Sequence, residues 1–233
     1  MQVKLTPRLQ AVADKVPPGS RVADIGTDHA YIPVYLLMNH LSAYVIGTDS
    51  RSGPLQAAEE TLQLFNLSQV AELRLGNGLS VLRAEDNVDT VIVSGMGGET
   101  ICSILEAGLD FLKNNILLVL QPMTCAGSVR EWLSDKGFSI VQEDIAQEED
   151  RYYEVIVARW SGQTSLAREK YLTIGPDLAA RRHPLLKPML QKRLELKEAA
   201  LAGAGISNTA AAKDKIGELE KEILLLREVL TCL

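Results

Sequence analysis

At 233 residues with 46% hydrophobic side chains, the chain has the make-up of an ordinary globular protein, with enough length for one sizeable core plus an appendage. No apolar run approaches a membrane span and Met1-Gln2-Val3-Lys4-Leu5 lacks a signal-peptide core, so the expectation is a cytoplasmic protein; Cys102, Cys125 and Cys232 are scattered among only three histidines, which excludes a disulfide framework and leaves no metal site to expect. The net charge of −6 argues against nonspecific nucleic-acid binding, yet residues 1–160 carry 12 of the 24 basic and 21 of the 30 acidic residues, leaving 12 and 9 for residues 161–233, so a segment of net −9 precedes one of net +3.

Thr6-Pro7 reads as a cap followed by proline at the first helical position, and Leu9, Val12, Ala13 and Val16 give a short amphipathic helix ending at Pro17-Pro18-Gly19. A buried strand, Arg21 to Ile25, carries Asp24 near its end, passes Gly26 into the polar loop Thr27-Asp28-His29, and leads to a helix predicted to begin at Pro33 and run to Asn39. A second strand, Ala43 to Thr48, ends at Asp49, and a helix from Pro54 to Phe65 places Leu55, Ala58, Leu62 and Phe65 on one face. Strands from Val70 to Leu75 and from Val88 to Val93 stop at Gly76-Asn77-Gly78-Leu79 and Ser94-Gly95-Met96-Gly97-Gly98; a helix spans Glu99 to Leu112, and a fully apolar strand, Ile116 to Leu120, stops at Gln121-Pro122. Strands apolar on both faces alternating with helices indicate a parallel sheet covered on both sides, with ligands at the carboxyl ends of its strands. After a helix near Gly127 to Lys136, strands Phe138 to Glu143 and Tyr152 to Trp160 are too close in sequence for a crossover helix and are expected to pair as an antiparallel hairpin, giving a seven-stranded sheet with one antiparallel edge strand, as in class I methyltransferases.

From Ser161 the pattern is helical only: Thr164 to Leu172, then, after Gly175-Pro176, Leu185 to Leu201 and Ala210 to Leu230. In the last helix Ile216, Leu219, Ile223, Leu226 and Leu230 recur at spacings of 3, 4, 3 and 4, a coiled-coil seam, and Leu186, Leu190, Leu194 and Leu201 offer it a partner face, interrupted by Lys197. The seam could close within the chain or between chains. The expected domains are 1–160, a donor-binding α/β domain, and 161–233, a helical hairpin extension.

A carboxylate at the end of the second strand, Asp49, can accept from both hydroxyls of a ribose, which suits NAD, FAD or S-adenosylmethionine. The first loop discriminates. A pyrophosphate needs G-x-G-x-x-G, but the second and third glycine positions are Asp28 and Tyr31, and a carboxylate there repels phosphates while attracting a sulfonium and an α-amino group. S-adenosylmethionine is therefore the favoured cofactor, with Asp24, Gly26, Thr27 and Asp28 shaping its site, Asn77 and Gly78 at the adenine, and Ser94, Gly95 and Met96 beside the methyl end. The glycines of Ser94–Gly98 either open backbone for the donor or an inserted base, or merely permit a tight turn into the helix.

The runs Asp24-Ile25-Gly26-Thr27-Asp28-His29-Ala30-Tyr31-Ile32-Pro33, Gly76-Asn77-Gly78-Leu79, Ser94-Gly95-Met96-Gly97-Gly98-Glu99 and Gln121-Pro122, with the opening Leu5-Thr6-Pro7-Arg8-Leu9 and the helical hairpin, resemble the bacterial tRNA (adenine-22-N1)-methyltransferase family over essentially the whole chain. Asn77 departs from the family's usual aspartate, although an amide accepts the same hydrogen bond. The resemblance implies methyl transfer to N1 of adenosine 22 of tRNA. Because that nitrogen carries its own lone pair, the expected catalysis is positioning and charge stabilisation. Asp28 is expected to stabilise positive charge on the adenine or to accept a proton from it, with His29 and Tyr31 positioning or stacking on the base; their plainer alternatives are loop capping and packing. A base inside a folded tRNA must be flipped out, so the candidates for gripping phosphates are Arg8 and, on the extension, Arg181, Arg182, Lys187, Lys192 and Arg193, whose plainer alternative is a solvated helix face. Methylation of another RNA or a small molecule, or a non-catalytic donor-binding docking protein, are the competing classes.

Overall fold

The structure, a computed structural model, describes residues 3–164, 169–204 and 210–233. By internal packing it forms two compact units, Met1–Ala167 and Arg168–Leu233.

In the first unit seven strands, β1 (Ser20–Ile25), β2 (Ser42–Asp49), β3 (Ala71–Leu75), β4 (Thr90–Gly97), β5 (Leu117–Thr124), β6 (Phe138–Glu148) and β7 (Arg151–Trp160), form one sheet in the order β3-β2-β1-β4-β5-β7-β6. The first five run parallel, and β7 is antiparallel to both β5 and β6. The antiparallel strand is thus internal and β6 is the edge, which corrects the expected edge position: the apolar run Val155 to Ala158 gains a neighbour on each side and is buried. Along β5, Leu117 and Val119 join the core under α1 (Pro7–Ala13), α2 (Tyr31–Met38) and α3 (Ser52–Leu64), while Leu118 and Leu120 join the core under α4 (Gly98–Ala107), α5 (Leu109–Leu112) and α6 (Ala126–Asp135). That alternation in an all-apolar strand is what two covered faces require, and each such side chain contributes about 1.5–3 kcal/mol by burial.

Several boundaries differ from the pattern-based reading. Helix α2 begins at Tyr31, so Pro33 lies inside its first turn, where the absent N–H has no intrahelical acceptor in any case. The stretch Glu99–Leu112 is two helices broken at Gly108, where a Cβ would stand 2.4 Å from the Leu79 side chain. Strand β4 does not stop at Val93: Ser94, Met96 and Gly97 pair with Gln121, Pro122 and Thr124 of β5 across register shifts, and Gly95 takes φ +76°. The hairpin between β6 and β7 is closed by Glu149-Asp150 alone, because β6 continues through Glu148 opposite Arg151.

One structural cluster had no sequence signal. Arg130 on α6 donates from Nε to Glu143 on β6 (2.7 Å) and from Nη2 to Glu154 on β7 (2.6 Å), all three side chains being buried. Burial alone would lower the guanidinium, but Glu154 and Glu143 outweigh it and hold it raised.

In the second unit, α7 (Glu169–Ile174) and α8 (Pro176–Ala180) precede α9 (Leu186–Ala204) and α10 (Ala210–Cys232). The predicted helix from Thr164 lies partly outside the described residues. Helices α9 and α10 run antiparallel: Leu186 shares a cavity with Val229 and Leu233, while further along Lys197 pairs with Glu222 and Glu198 with Arg227 at 2.7 Å. Of the seam positions Leu186, Leu190, Ile223 and Leu226 are buried, together with Val229, whereas Leu194, Leu201, Ile216, Leu219 and Leu230 are half-buried. Lys197, which interrupts the apolar face in the sequence, is accommodated by that ion pair.

Candidate active site

Because β1, β2 and β4 are parallel and in register at Ile25↔Thr48 and Ile25↔Val93, their carboxyl ends bring Gly26, Asp49 and Ser94 to one edge of the sheet. A cavity of about 450 Å³ belongs to the helical unit; the one at this edge is smaller, about 290 Å³, and is lined by Gly26, Thr48, Asp49, Arg51, Asn77, Gly78, Met96 and one face of α4 (Thr100, Ser103, Ile104, Ala107). The turn carrying Asn77 and Gly78 is pinned by Arg74, which bonds Val81 O at 2.9 Å and the Asp86 carboxylate at 2.6 and 2.7 Å. The same guanidinium holds the Glu72 and Asp86 carboxyls below their usual range.

The cavity is chemically prepared. Asp49 is buried, and its Oδ1 accepts the Arg51 N–H at 2.9 Å, which orients the carboxylate and leaves further lone pairs for a ligand. Burial pushes the Asp24 carboxyl up to about 6, a rise that the neighbouring Thr27 hydroxyl only tempers. Thr27 Oγ1 faces the Asp24 carboxyl without a well-formed hydrogen bond, Thr48 Oγ1 has no partner, and both are buried. Two orphaned hydroxyls beside a buried acid form a site whose polar groups lack counterparts until a ligand arrives. A nucleoside bearing a cationic tail fits that donor set. Gly26, at φ +75°, approaches so closely that a Cβ would lie 2.2 Å from the Met96 methyl carbon.

The loop after Gly26 is strained. The backbone N–H groups of Gly26 and Thr27 both donate to Thr48 O (2.8 and 2.9 Å), and Asp28 and Ala30 then take φ +50° and +55°. A left-handed non-glycine residue costs about 1–2 kcal/mol, so two of them in one loop mark a conformation kept for a purpose other than connection. His29 stacks on Tyr31, centroids 5.4 Å apart at 18°, and its Nε2 lies 3.9 Å from Asp28 Oδ2. All three side chains are about half-exposed or more, with 67% for Asp28, 50% for His29 and 47% for Tyr31.

A family of methyltransferase domains matches residues 5–156. The curated tRNA (adenine(22)-N(1))-methyltransferase of Bacillus subtilis is 33% identical over 234 residues, 98% of either chain. The chain belongs to that family. The crystal structure of the B. subtilis m1A22 tRNA methyltransferase TrmK has a TM-score of 0.85 and covers 98% of this chain and 100% of its own. Streptococcus pneumoniae Sp1610 in complex with S-adenosyl-L-methionine is 32% identical with a TM-score of 0.85, covering 97% of this chain and 100% of that one. TrmK of M. capricolum with S-adenosylhomocysteine is 25% identical with a TM-score of 0.82, covering 97% and 98%.

Of the residues the sequence singles out in this family member, the cavity gathers Gly26, Asp49, Asn77, Gly78 and Met96. Asp24 and Thr27 are buried in β1 and the loop that follows it, whereas Asp28, His29 and Tyr31 stand exposed and do not line the cavity. Ser94 pairs with Gln121 of β5, Gly95 is the exposed bulge skipped by that ladder, and Gly98 meets protein, its Cβ position being 2.4 Å from Cys125 O; for that glycine the tight turn into the helix is the correct reading. Thr48, Thr100 and Ser103 were missed; the 3- and 4-residue spacing of Thr100, Ser103, Ile104 and Ala107 was the available signal. On the helical unit Arg181 pairs with Asp177 at 2.8 Å, Arg193 donates to Thr173 O at 3.1 Å, and Arg182 and Lys187 are exposed at the larger cavity, opposite Glu228. Lys192 is half-buried on α9. Among the described residues no group of three or more metal-ligating side chains occurs, and no helix is long and apolar enough to cross a membrane.

Proposed function

We propose that this protein is an S-adenosylmethionine-dependent methyltransferase that methylates N1 of adenosine 22 in tRNA, acting in the cytoplasm. The observation that carries the reading is the junction of two unlike halves at one strand end: buried polar groups, Asp24, Thr27, Thr48 and Asp49, of which the two threonine hydroxyls lack a partner, and beside them an exposed, strained loop bearing Asp28, His29 and Tyr31. Family membership over the full chain supports the choice of substrate.

S-adenosylmethionine, when bound, supplies a methyl group on a positively charged sulfur. Asp49 accepts from the ribose hydroxyls and the Asn77 amide oxygen from the adenine amino group. Asp24, ionised at neutral pH at a cost, faces the cationic tail and recovers that cost when an opposite charge arrives. Asp28 acts on the acceptor. As the methyl group moves, positive charge passes to the target adenine, and a carboxylate about 4 Å away at an effective dielectric near 20 stabilises it by about 4 kcal/mol. The stacked His29–Tyr31 pair offers a flat apolar face to the flipped base. The target nitrogen needs no base to become a nucleophile, so Asp28 works either by charge alone or by also taking a proton from the product. Arg181 and Arg182 after α8, with Lys187, Lys192 and Arg193 of the helical hairpin, read as a coiled coil, meet tRNA phosphates.

The test is incubation of unmodified tRNA with labelled donor followed by mass-spectrometric mapping. N1-methyladenosine at position 22, abolished when that adenosine is replaced by guanosine, is the expected result. Label that survives the replacement, or no donor binding by calorimetry, refutes the reading.

A further inference from the structure

Gln121, at the end of β5, is fully buried, and every hydrogen-bonding position of its amide is engaged. Its Oε1 accepts from the Gly95 N–H (3.1 Å) and from Arg8 Nη1 (2.9 Å), and its Nε2 donates to Pro122 O (2.9 Å) and reaches Met123 Sδ (3.7 Å). The orientation is thereby forced: a flipped amide would set two donors against Gly95 and Arg8 and two acceptors against each other at Pro122. One oxygen thus joins the left-handed bend of β4, at φ +76°, to an arginine on the first helix of the chain.

Arg8 is held from its other sides as well. Its backbone N–H donates to the Glu148 carboxylate (3.3 Å), and its guanidinium lies over the Tyr153 ring, 5.7 Å from the centroid. Just past the end of helix α1, Lys15 ties the chain to β6 by its ion pair with Asp144. No carboxylate pairs with the Arg8 guanidinium among the described residues, and its side chain is half-buried, so four of its five N–H groups remain for something that is not protein. That partner is not the reacting adenine, on which positive charge grows during transfer. It is an anion.

The geometry points to Gln121 as a positioning residue that locks the Gly95 bend and aims Arg8 at a phosphate of the tRNA strand next to the base being methylated. This rests on the proposed tRNA reading, and it assigns to Arg8 one phosphate near the reacting centre, distinct from the general grip of the helical unit. The alternative anion, the carboxylate of the donor, is separated by the experiment.

Full-length wild type, R8A, R8K, Q121E, Q121M and R8A/Q121M are titrated into fluorescently labelled unmodified tRNA at several KCl concentrations, with S-adenosylmethionine binding followed by calorimetry. R8A is expected to weaken tRNA binding about tenfold and to reduce the slope of log affinity against log salt by roughly 0.7–0.9, the share of one phosphate. R8K should restore the slope but only part of the affinity, because lysine keeps the charge and loses the fork. Q121M should weaken tRNA binding as R8A does, and adding it to R8A should cost less than about twofold more, as expected for residues acting as one unit. Wild-type S-adenosylmethionine affinity in Q121M guards against misfolding; Q121E, which sets a carboxylate against the Arg8 guanidinium and takes up its charge, should lower the slope as R8A does. An unchanged slope in R8A, or a loss confined to S-adenosylmethionine affinity, overturns the proposal. Methylation of adenosine 22 by wild type alongside an unchanged R8A slope would defeat this inference alone, whereas label that survives replacement of adenosine 22 would defeat the functional reading itself.

Discussion

The pocket under Gly26 and the loop beyond it grow from the same strand end but are finished in opposite ways. At the pocket, Asp24, Thr27, Thr48 and Asp49 are buried in the sheet end; in the loop, Asp28, His29 and Tyr31 are exposed and held in a costly backbone. The difference teaches how the two substrates are met: a small flexible donor needs walls already in place, whereas a base brought by a large RNA supplies much of its own enclosure on arrival. Substitutions in the loop should therefore act on kcat or on the KM for tRNA, and those in the pocket on donor affinity.

The largest expected effect is from Asp28→Asn. Asparagine tolerates the left-handed conformation, so the loop stays intact and only the charge is lost; kcat should fall about 10²–10³-fold with donor affinity within about twofold, read by single-turnover kinetics and calorimetry. A parallel loss of donor affinity would break the comparison. Next is Asp24. Its carboxyl holds a proton to about pH 6, while the unfolded side chain releases it near 3.8. The free protein therefore loses stability as pH rises from 3.8 to 6 and carries the full penalty above that. Asp24→Asn should raise the stability of the donor-free protein at pH 7 by up to about 3 kcal/mol, raise it little at pH 4, and weaken donor binding. In wild type, donor affinity should fall as pH drops below 6, about tenfold per unit. Thermal melts and calorimetry across pH check both. Asp49→Asn keeps an acceptor for the Arg51 N–H but loses charge-assisted bonding to the ribose, at about 2 kcal/mol or 30-fold in donor Kd, with kcat at saturating donor unchanged. The smallest effect is at Tyr31: Tyr31→Leu should raise the KM for tRNA about 5–10-fold, and Tyr31→Phe should be near neutral, since stacking and not the hydroxyl is used.

The sheet was legible because the inner parallel strands, β4 and β5 above all, are buried on both faces and leave apolar runs, and the strand-end residues Gly26, Asp49, Asn77 and Met96 follow from where such strands end. What escaped is what depends on a distant partner. Ser94, Met96 and Gly97 have poor strand propensity and extend β4 only because β5 offers them a ladder. The need for glycine at positions 98 and 108 is imposed by Cys125 O and Leu79, not by a ligand or a turn type. The Arg130–Glu143–Glu154 cluster joins charges 13 and 24 residues from the arginine, each of which alone looks like ordinary surface polarity. Arg8 was legible as a cation near the site, but its hold through Gln121 was not, since nothing in Gln121-Pro122 announces a buried amide with every position filled.

The first helix has a practical consequence. Leu5 is buried, Thr6 Oγ1 caps the helix by accepting the Leu9 N–H, and Arg8 reaches Gln121 beside the Gly95 bend. If Arg8 meets the RNA as proposed, an affinity tag or fluorophore joined just ahead of Leu5 stands in the path of that strand, and turnover should rise when the tag is cut away.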